Sequence, residues 1–485
     1  MRERSEGIVD DNTRDIEILA EGAEAAQQEL ALLDSPEDRR GAMDDLEELI
    51  EGGDAAALDV FLGVLHPADL AALIGVLDQR QWPSVLARLD IERISDLMEE
   101  LPDHLRDDLA EHLPQDQLSE AIEAMASDDA ADVLADLPAP LARNLIEALP
   151  TEERHEVESL LQYPEDTAGG LMQAEMVTVP GDATADQAVE EVRACAEKVV
   201  PFHFVYVVDD DQKLAGVLDL ASLILAAPDR SVRELMAGDL QTVTPEVDQE
   251  EVAQMFKRYD LVALPVVDDR GRLLGRILHD DAVDVLEEEA DQDIMHMAGA
   301  AATEPELVYT DQMLKIAWVR LPWLLATLVG LTVPALLVWA FQVSFPNVLA
   351  LVPFVPVIGA MGGNVGAQSA TIVVRGFATG RVDFHNLGSF LLKESVVSTL
   401  MGIACGIVAG VVAITWHGDP MLSITVAVSM IAAIIASALM GVLVPYFFRL
   451  INVDPAIAAG QLVTTLDDIM AIGIYYLAAL RFISN

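Results

Sequence analysis

Five apolar segments occupy the C-terminal part of this chain, near residues 321–341, 348–374, 390–416, 422–447 and 456–483. Each reaches the roughly 20 residues that a helix needs to cross a bilayer. A backbone at membrane depth must satisfy its own polar groups, so residues 318–485 are expected to form an all-α bundle of five membrane helices in contact with lipid. Charge separates this bundle from what precedes it. The chain carries 28 Lys+Arg against 81 Asp+Glu, a formal net charge of −53, yet from Trp318 onward the two signs balance at six each. The acidic excess therefore belongs to residues 1–317. Such a surface repels nucleic acid and attracts cations. Only five of the basic residues are Lys, a bias that fits a salt-rich, halophilic cytoplasm, where screening tolerates self-repulsion; cation sensing is the competing reading.

The first residues, MRERSEGIVDDNTRD, lack the apolar core of a signal peptide, so the N-terminal part is expected in the cytoplasm. With that orientation Arg375, Arg381, Lys393 and Arg449 fall in inner loops, and the outer loops near 342–347 and 417–421 hold no Lys or Arg. This satisfies the positive-inside rule and puts Asn485 outside. Cys195 and Cys405 lie in different regions and imply no disulfide framework.

Residues 1–55 read as an acidic, Ala/Glu-rich extension of no legible function. From Leu65 an apolar residue recurs every twelfth position, at Leu77, Leu89, Leu101, Leu113, Met125, Leu137, Leu149 and Leu161, and Pro follows four of them. A short helix ended by a turn has this signature, and stacked copies make an α-superhelix over 56–168. A second repeat follows: VYVVDDDQKLAGVLDL at 205–220 matches LPVVDDRGRLLGRILH at 264–279, with Leu-Met at 171–172 and again at 235–236. Its β-branched runs between Asp/Gly turns predict strands, alternating with amphipathic helices over 186–196 and 248–259.

Two features inside the apolar segments carry chemistry. Asp467 and Asp468 stand in the last segment, where a carboxylate at the bilayer centre costs roughly 2.5–3.5 kcal/mol and is kept where it lines a pathway or meets a partner. No Lys or Arg within these helices is placed to neutralise them, so an external cation is the natural partner. The competing reading makes one a water-facing residue and the other a protonated structural acid. The second segment holds PVIGAMGGNVGAQSATIVVRGFATG at 356–380. Its small residues either permit close helix packing or unwind the helix at Gly-Gly-Asn to present carbonyls to a cavity. The accompanying polar residues favour the second.

Several motifs together resemble the MgtE family of magnesium channels and transporters. They are Pro356, Gly362, Gly363, Asn364, Gly366 and Gln368, the RGxATG tail, Lys393-Glu394, and Asp454-Pro455-Ala456 with Val463, Thr464, Thr465 and Asp468. The 60-residue repeat likewise resembles a tandem pair of CBS domains, over 169–235 and 236–282, followed by a connecting plug helix over 283–317. The resemblance implies a multi-domain, non-enzymatic membrane protein: a helical N domain, an α/β CBS pair and a five-helix membrane domain. It further implies a homodimer in the plasma membrane that admits Mg2+. Asp468 is the implied pore site, with Gly362, Gly363, Asn364, Gln368, Thr464, Thr465 and Asp454 as accompanying residues. Implied regulatory Mg2+ ligands are Asp128 and Asp132, then Asp248, Glu250 and Asp260, then Asp281, Asp284, Glu289 and Asp293; ATP is an implied CBS ligand. Gly460-Gln461 departs from the Gly-Pro or Asn-Pro common before the Val-Thr-Thr run. Mg2+ favours octahedral oxygen coordination and sheds water reluctantly, which suits one carboxylate per subunit. The alternatives are a nucleotide-sensing transporter of Mn2+ or Co2+, and an intramembrane aspartyl hydrolase using Asp467 and Asp468.

Overall fold

The computed structural model describes residues 36–195, 203–298, 313–344, 350–382, 387–451 and 453–483. The chain divides into two compact units, Met1–Val285 and Leu286–Asn485. Residues 1–35 of the acidic extension, 299–312 of the connecting segment, the outer-loop residues 345–347 and Asn485 lie outside the described residues.

In the first unit the twelve-residue cadence becomes a run of ten-residue helices: Ile91–Glu100, Asp103–His112, Gln115–Ala124, Ser127–Asp136, Ala139–Ala148 and Thr151–Leu160. Leu101, Leu113, Met125, Leu137 and Leu149 each cap the preceding helix in extended backbone and are buried. Pro102, Pro114, Pro138 and Pro150 cap the start of the next helix. Proline excludes the helical region for the residue before it, so every Leu-Pro pair ends one helix and aims the next. Helices two apart in sequence pack together, which makes the stack a superhelix.

The 60-residue repeat folds twice into the same hairpin. Strands β1 (Thr178–Pro180), β2 (Phe204–Val208) and β3 (Leu214–Asp219) form one sheet in that order, β1 parallel and β3 antiparallel to β2. Strands β4 (Ala263–Val267) and β5 (Leu273–Leu278) pair antiparallel. Both hairpins shift register inside the Val-Val pair, after Val207 and after Val266. In both, the first turn aspartate accepts hydrogen bonds from backbone two and four residues on: Asp209 from Asp211 and Lys213, Asp268 from Arg270 and Arg272. The repeated Leu-Met has a packing role. A Cβ at Gly216 would meet the Ala237 carbonyl at 2.8 Å beside Met236, and one at Gly275 the Gln173 carbonyl at 2.6 Å beside Met172.

The second unit holds membrane helices Met313–Ser344, Val355–Ala378, Leu387–His417 and Pro420–Leu450, then a fifth in two pieces, Pro455–Ala459 and Gln461–Phe482, broken at Gly460. Five of these helices are long and apolar enough to cross a membrane. The second helix runs without interruption through Gly362-Gly363-Asn364, so the unwound reading of that motif is corrected. Its glycines serve packing instead. A Cβ at Gly362 would meet Ser437 Oγ at 3.0 Å and Ala471 Cβ at 3.2 Å. One at Gly366 would run into the Asp467 carboxylate, and one at Gly441 of the fourth helix into the Gly366 carbonyl. Helices three and four meet the same way, Gly402, Gly406 and Gly410 lying against Ile431, Ala427 and Ser423. Without a hydrophobic drive between helices in lipid, such backbone approach and its dispersion contacts supply the association.

Replacing Gly441 by Val should therefore separate helices two and four, at a cost of about 3 kcal/mol or more. The detergent-solubilised full chain should melt several degrees lower, whereas Gly473→Ala, where an added Cβ meets nothing within 4 Å, should leave melting unchanged.

Candidate functional site

Successive residues on a helix project about 100° apart, and that angle separates the two intramembrane acids. Asp467 is fully buried and turned toward Gly366. Asp468 is half-buried, and a Cβ on Gly359 would lie 3.2 Å from its Oδ1. The two carboxyls face different neighbours and do not form the opposed dyad that an aspartyl hydrolase requires. No ion pair joins Asp468 to a basic side chain among the described residues. One turn earlier, the Thr464 hydroxyl is held by the Gln461 carbonyl at 3.0 Å, and that of Thr465 by the same carbonyl at 2.7 Å. On the second helix Gly362 and Gly363 are buried, while Asn364, Gln368 and Thr371 stand on the exposed face. Gly363 has open space beside it. Ser369, buried on the opposite face, donates to Glu394 of the third helix at 2.6 Å and so ties helices two and three together.

Asp454 is placed away from Asp468, at the start of the fifth helix. It caps Pro455–Ala459 by accepting from Ala456 N at 2.7 Å, and its other oxygen meets His296 Nδ1 at 2.7 Å. His296 belongs to the helix His279–Met297, whose C-terminal end seats in the membrane unit. Met297 packs with Ala370, Val374, Val444, Ala456, Ala459 and Val463. A Cβ on Gly460 would stand 2.5 Å from the Met297 carbonyl and 3.2 Å from that of His296, so the helix end rests on the break in the fifth helix. Gln461 is anchored to the first helix by the Thr327 hydroxyl at 2.7 Å. The hydrogen bond to Asp454 raises the His296 pKa. Burial, with Asp454 and Glu289 nearby, pushes Asp293 up to about 6; Glu289 is half-buried on the same helix.

The first unit gathers a second set of acids. Asp128 is buried, with Oδ1 in no hydrogen bond, and desolvation with Asp129, Asp281 and Glu175 alongside raises its pKa well above the usual carboxylate range. Burial likewise pushes Asp129 to about 7, Asp132 to about 8 and Asp281 to about 7. Glu99 is raised too, first by desolvation and then by Asp96. Glu175 grips the start of this acidic helix: Ser127 N and Oγ donate to its two oxygens at 3.0 and 2.7 Å. Asp128, Asp132 and Asp281 were singled out from the sequence; Asp129, Glu99, Glu175 and Asp280 were not. Only adjacency, of Asp129 to Asp128 and of Asp280 to Asp281, hinted at any of them.

The remaining candidates are dispersed. Asp248 caps the helix Gln249–Tyr259 through Glu250 N at 2.9 Å, Glu250 accepts from Gln254 at 3.0 Å, and Asp260 takes a left-handed conformation at the other end of that helix, φ 51°. Asp284 is exposed beside Glu100. No group of three or more His, Cys, Asp or Glu among the described residues has the spacing of a closed metal cage.

Residues 355–478 match the family described as a divalent cation transporter, residues 65–166 the MgtE intracellular N domain, and residues 168–229 and 232–288 the CBS domain. The chain is 37% identical over 334 residues to the magnesium transporter MgtE of Thermus thermophilus, spanning 69% of this chain and 74% of that one. To the magnesium transporter MgtE of Bacillus subtilis it is 32% identical over 340 residues, 70% and 75% of the two chains. A solved structure of the cytosolic domain of the Mg2+ channel MgtE in complex with ATP is 35% identical, spans 50% of this chain and 99% of that one, and superposes with a TM-score of 0.48. A helical N region, a CBS pair and a five-helix membrane bundle thus make up a transporter and not an enzyme, and the chain belongs to the MgtE family of magnesium transporters.

Proposed function

We propose that two copies of this chain form a plasma-membrane pathway for Mg2+ influx, with Asp468 as its ion site, and that cytosolic Mg2+ closes it. The observation that carries this reading is Asp468 itself, a half-buried carboxylate within a membrane helix and without a basic partner among the described residues. The exposed stripe Asn364, Gln368 and Thr371 supports the dimer. Polar side chains facing lipid are costly, whereas a second copy laid against this face would line a polar path for a hydrated ion. With the first unit in the cytosol, five crossings put the C-terminus outside. Mg2+ flux into vesicles tests the assignment: Asp468→Ala should abolish it without loss of folding, and near-wild-type flux would rule the site out. Preference for Mn2+ or Co2+ in the same assay would favour the alternative cargo.

Closure follows from charge. The acids around Asp128 repel one another, and a divalent cation among them relieves that repulsion and favours the compact state. The helix His279–Met297 carries Asp281 near its start, and its last residue, Met297, lies against Gly460. Gly460→Ala should press on the Met297 carbonyl, unseat the helix end and weaken inhibition by internal Mg2+ at least severalfold, measured as flux at millimolar internal Mg2+. Unchanged inhibition would remove Gly460 from the gate.

Protons should substitute for Mg2+ here. The folded pKa values of Asp129, Asp132 and Asp281 lie at about 7, 8 and 7, above the ordinary aspartate value of 3.8. The folded state therefore holds more protons, and this contribution to stability is complete below pH 4 and lost as pH rises through 7 to 8. In EDTA, protease resistance of the first unit in the full chain should fall between pH 6 and pH 8.5, and millimolar Mg2+ should restore it at the higher pH. A flat profile in EDTA would contradict the buried cluster.

An adenine nucleotide is the proposed CBS ligand. A cleft of about 330 Å³ lined by His203, Val262, Leu278, His279 and Asp280 suits a purine and its ribose. None of these five side chains is Lys or Arg, and Asp280 is acidic, so the phosphates would depend on a chelated cation as well as on His203 and His279. Binding of ATP with and without Mg2+, measured by calorimetry, tests this.

A further inference from the structure

Asp467 has no part in the proposed pathway, yet its environment demands a partner. It and Ser437 of the fourth helix are both 0% exposed. The Ser437 hydroxyl lies close enough to the carboxylate to offset part of its burial, yet Ser437 Oγ and both Asp467 oxygens lack a partner of full hydrogen-bond geometry. The second helix closes the site from its glycine face: a Cβ on Gly366 would collide with the carboxylate, and one on Gly362 would stand 3.0 Å from Ser437 Oγ. No basic side chain pairs with Asp467 among the described residues. A buried carboxylate left without hydrogen bonds or a counter-charge is among the most unfavourable groups a membrane bundle can hold.

From this geometry we infer that Asp467 and Ser437 bind a small monovalent cation of Na+ size, held between the second, fourth and fifth helices. Two facts select monovalent over divalent. A single carboxylate balances a single positive charge. Mg2+ gives up its waters reluctantly, and a site with no solvent exposure accepts only an ion that has shed them. The ion would act as an internal counter-charge tying three helices together, one residue away from Asp468. It is a site separate from the pore acid and stands whether or not Asp468 conducts.

The melting temperature of the full chain in detergent and EDTA tests this, with NaCl exchanged for N-methyl-D-glucamine chloride at constant ionic strength. The expected result is a saturable rise with Na+ that is lost in Asp467→Asn, reduced in Ser437→Ala and retained in Asp468→Asn. Equal melting in the two salts, or a Na+ response that persists in Asp467→Asn, would overturn the site. Equilibrium binding of radioactive Na+ to the wild type and to Ser437→Ala decides the matter even if Asp467→Asn does not fold: weaker binding in the variant supports the site, and unchanged binding removes it. Loss of flux in Asp468→Ala is a separate result, so either reading can fail while the other holds.

Discussion

The close approach of the second membrane helix to the fourth and fifth is the constraint on which the rest of the membrane unit depends. It exists because Gly359, Gly362, Gly366 and Gly441 put backbone where side chains would otherwise stand. In lipid no hydrophobic force presses helices together, so this contact must come from shape. Once it is made, the fifth helix has a fixed rotation, and the 100° between neighbours does the sorting. Asp467 is driven against Gly366 into the protein interior, while Asp468 is left half-buried beside Gly359. Two identical side chains in sequence thereby meet different demands.

In the first unit the governing cost is the burial of carboxylates, with their mutual repulsion added to it. Helix packing places Asp128, Asp129, Asp132 and Asp281 where desolvation and mutual charge keep them short of full ionisation. Nothing apolar compensates for that. Glu175 adds to this charge while it grips Ser127, satisfying the backbone at the start of the acidic helix with a side chain from beyond the superhelix. A carboxylate at a helix N-terminus also meets the favourable end of the helix dipole. Among the acids behind it, Arg106 offsets part of the charge on Asp129 and Asp132, and burial still outweighs it; cations or protons from solution can supply the rest.

The elements legible in the sequence are those written as periods. The twelve-residue cadence fixes helix length and the Leu-Pro link together, and the 60-residue repeat reproduces even the register shift and the aspartate turn of each hairpin. Length and hydropathy placed the five membrane helices, although the first begins at Met313 and not near residue 321. Gly362-Gly363-Asn364 misled because glycine weakens an isolated helix, whereas here tertiary contact stabilises it against Ser437 and Ala471. His296 and Glu175 were missed for another reason. Their partners lie far off in sequence, 158 residues in one case and 48 in the other, and among 81 acidic residues no local pattern marks the few that meet.

The departure at Gly460-Gln461 has a physical sense that the spacing of motifs did not reveal. A proline there would fix φ and remove a donor, but it could neither hydrogen-bond to another helix nor shrink to admit a backbone. Gly460 does the second, letting the Met297 carbonyl approach the break in the fifth helix, and Gln461 does the first, taking the Thr327 hydroxyl at 2.7 Å. The chain thus replaces a stiff bend by one held from two sides, by the connecting helix and by the first membrane helix. The bend lies one turn before Thr464 and two before Asp468 in the same continuous helix, Gln461–Phe482. The Met297 end meets the bend, and the bend and Asp468 are joined along one helix, which is the route that the proposed gating requires.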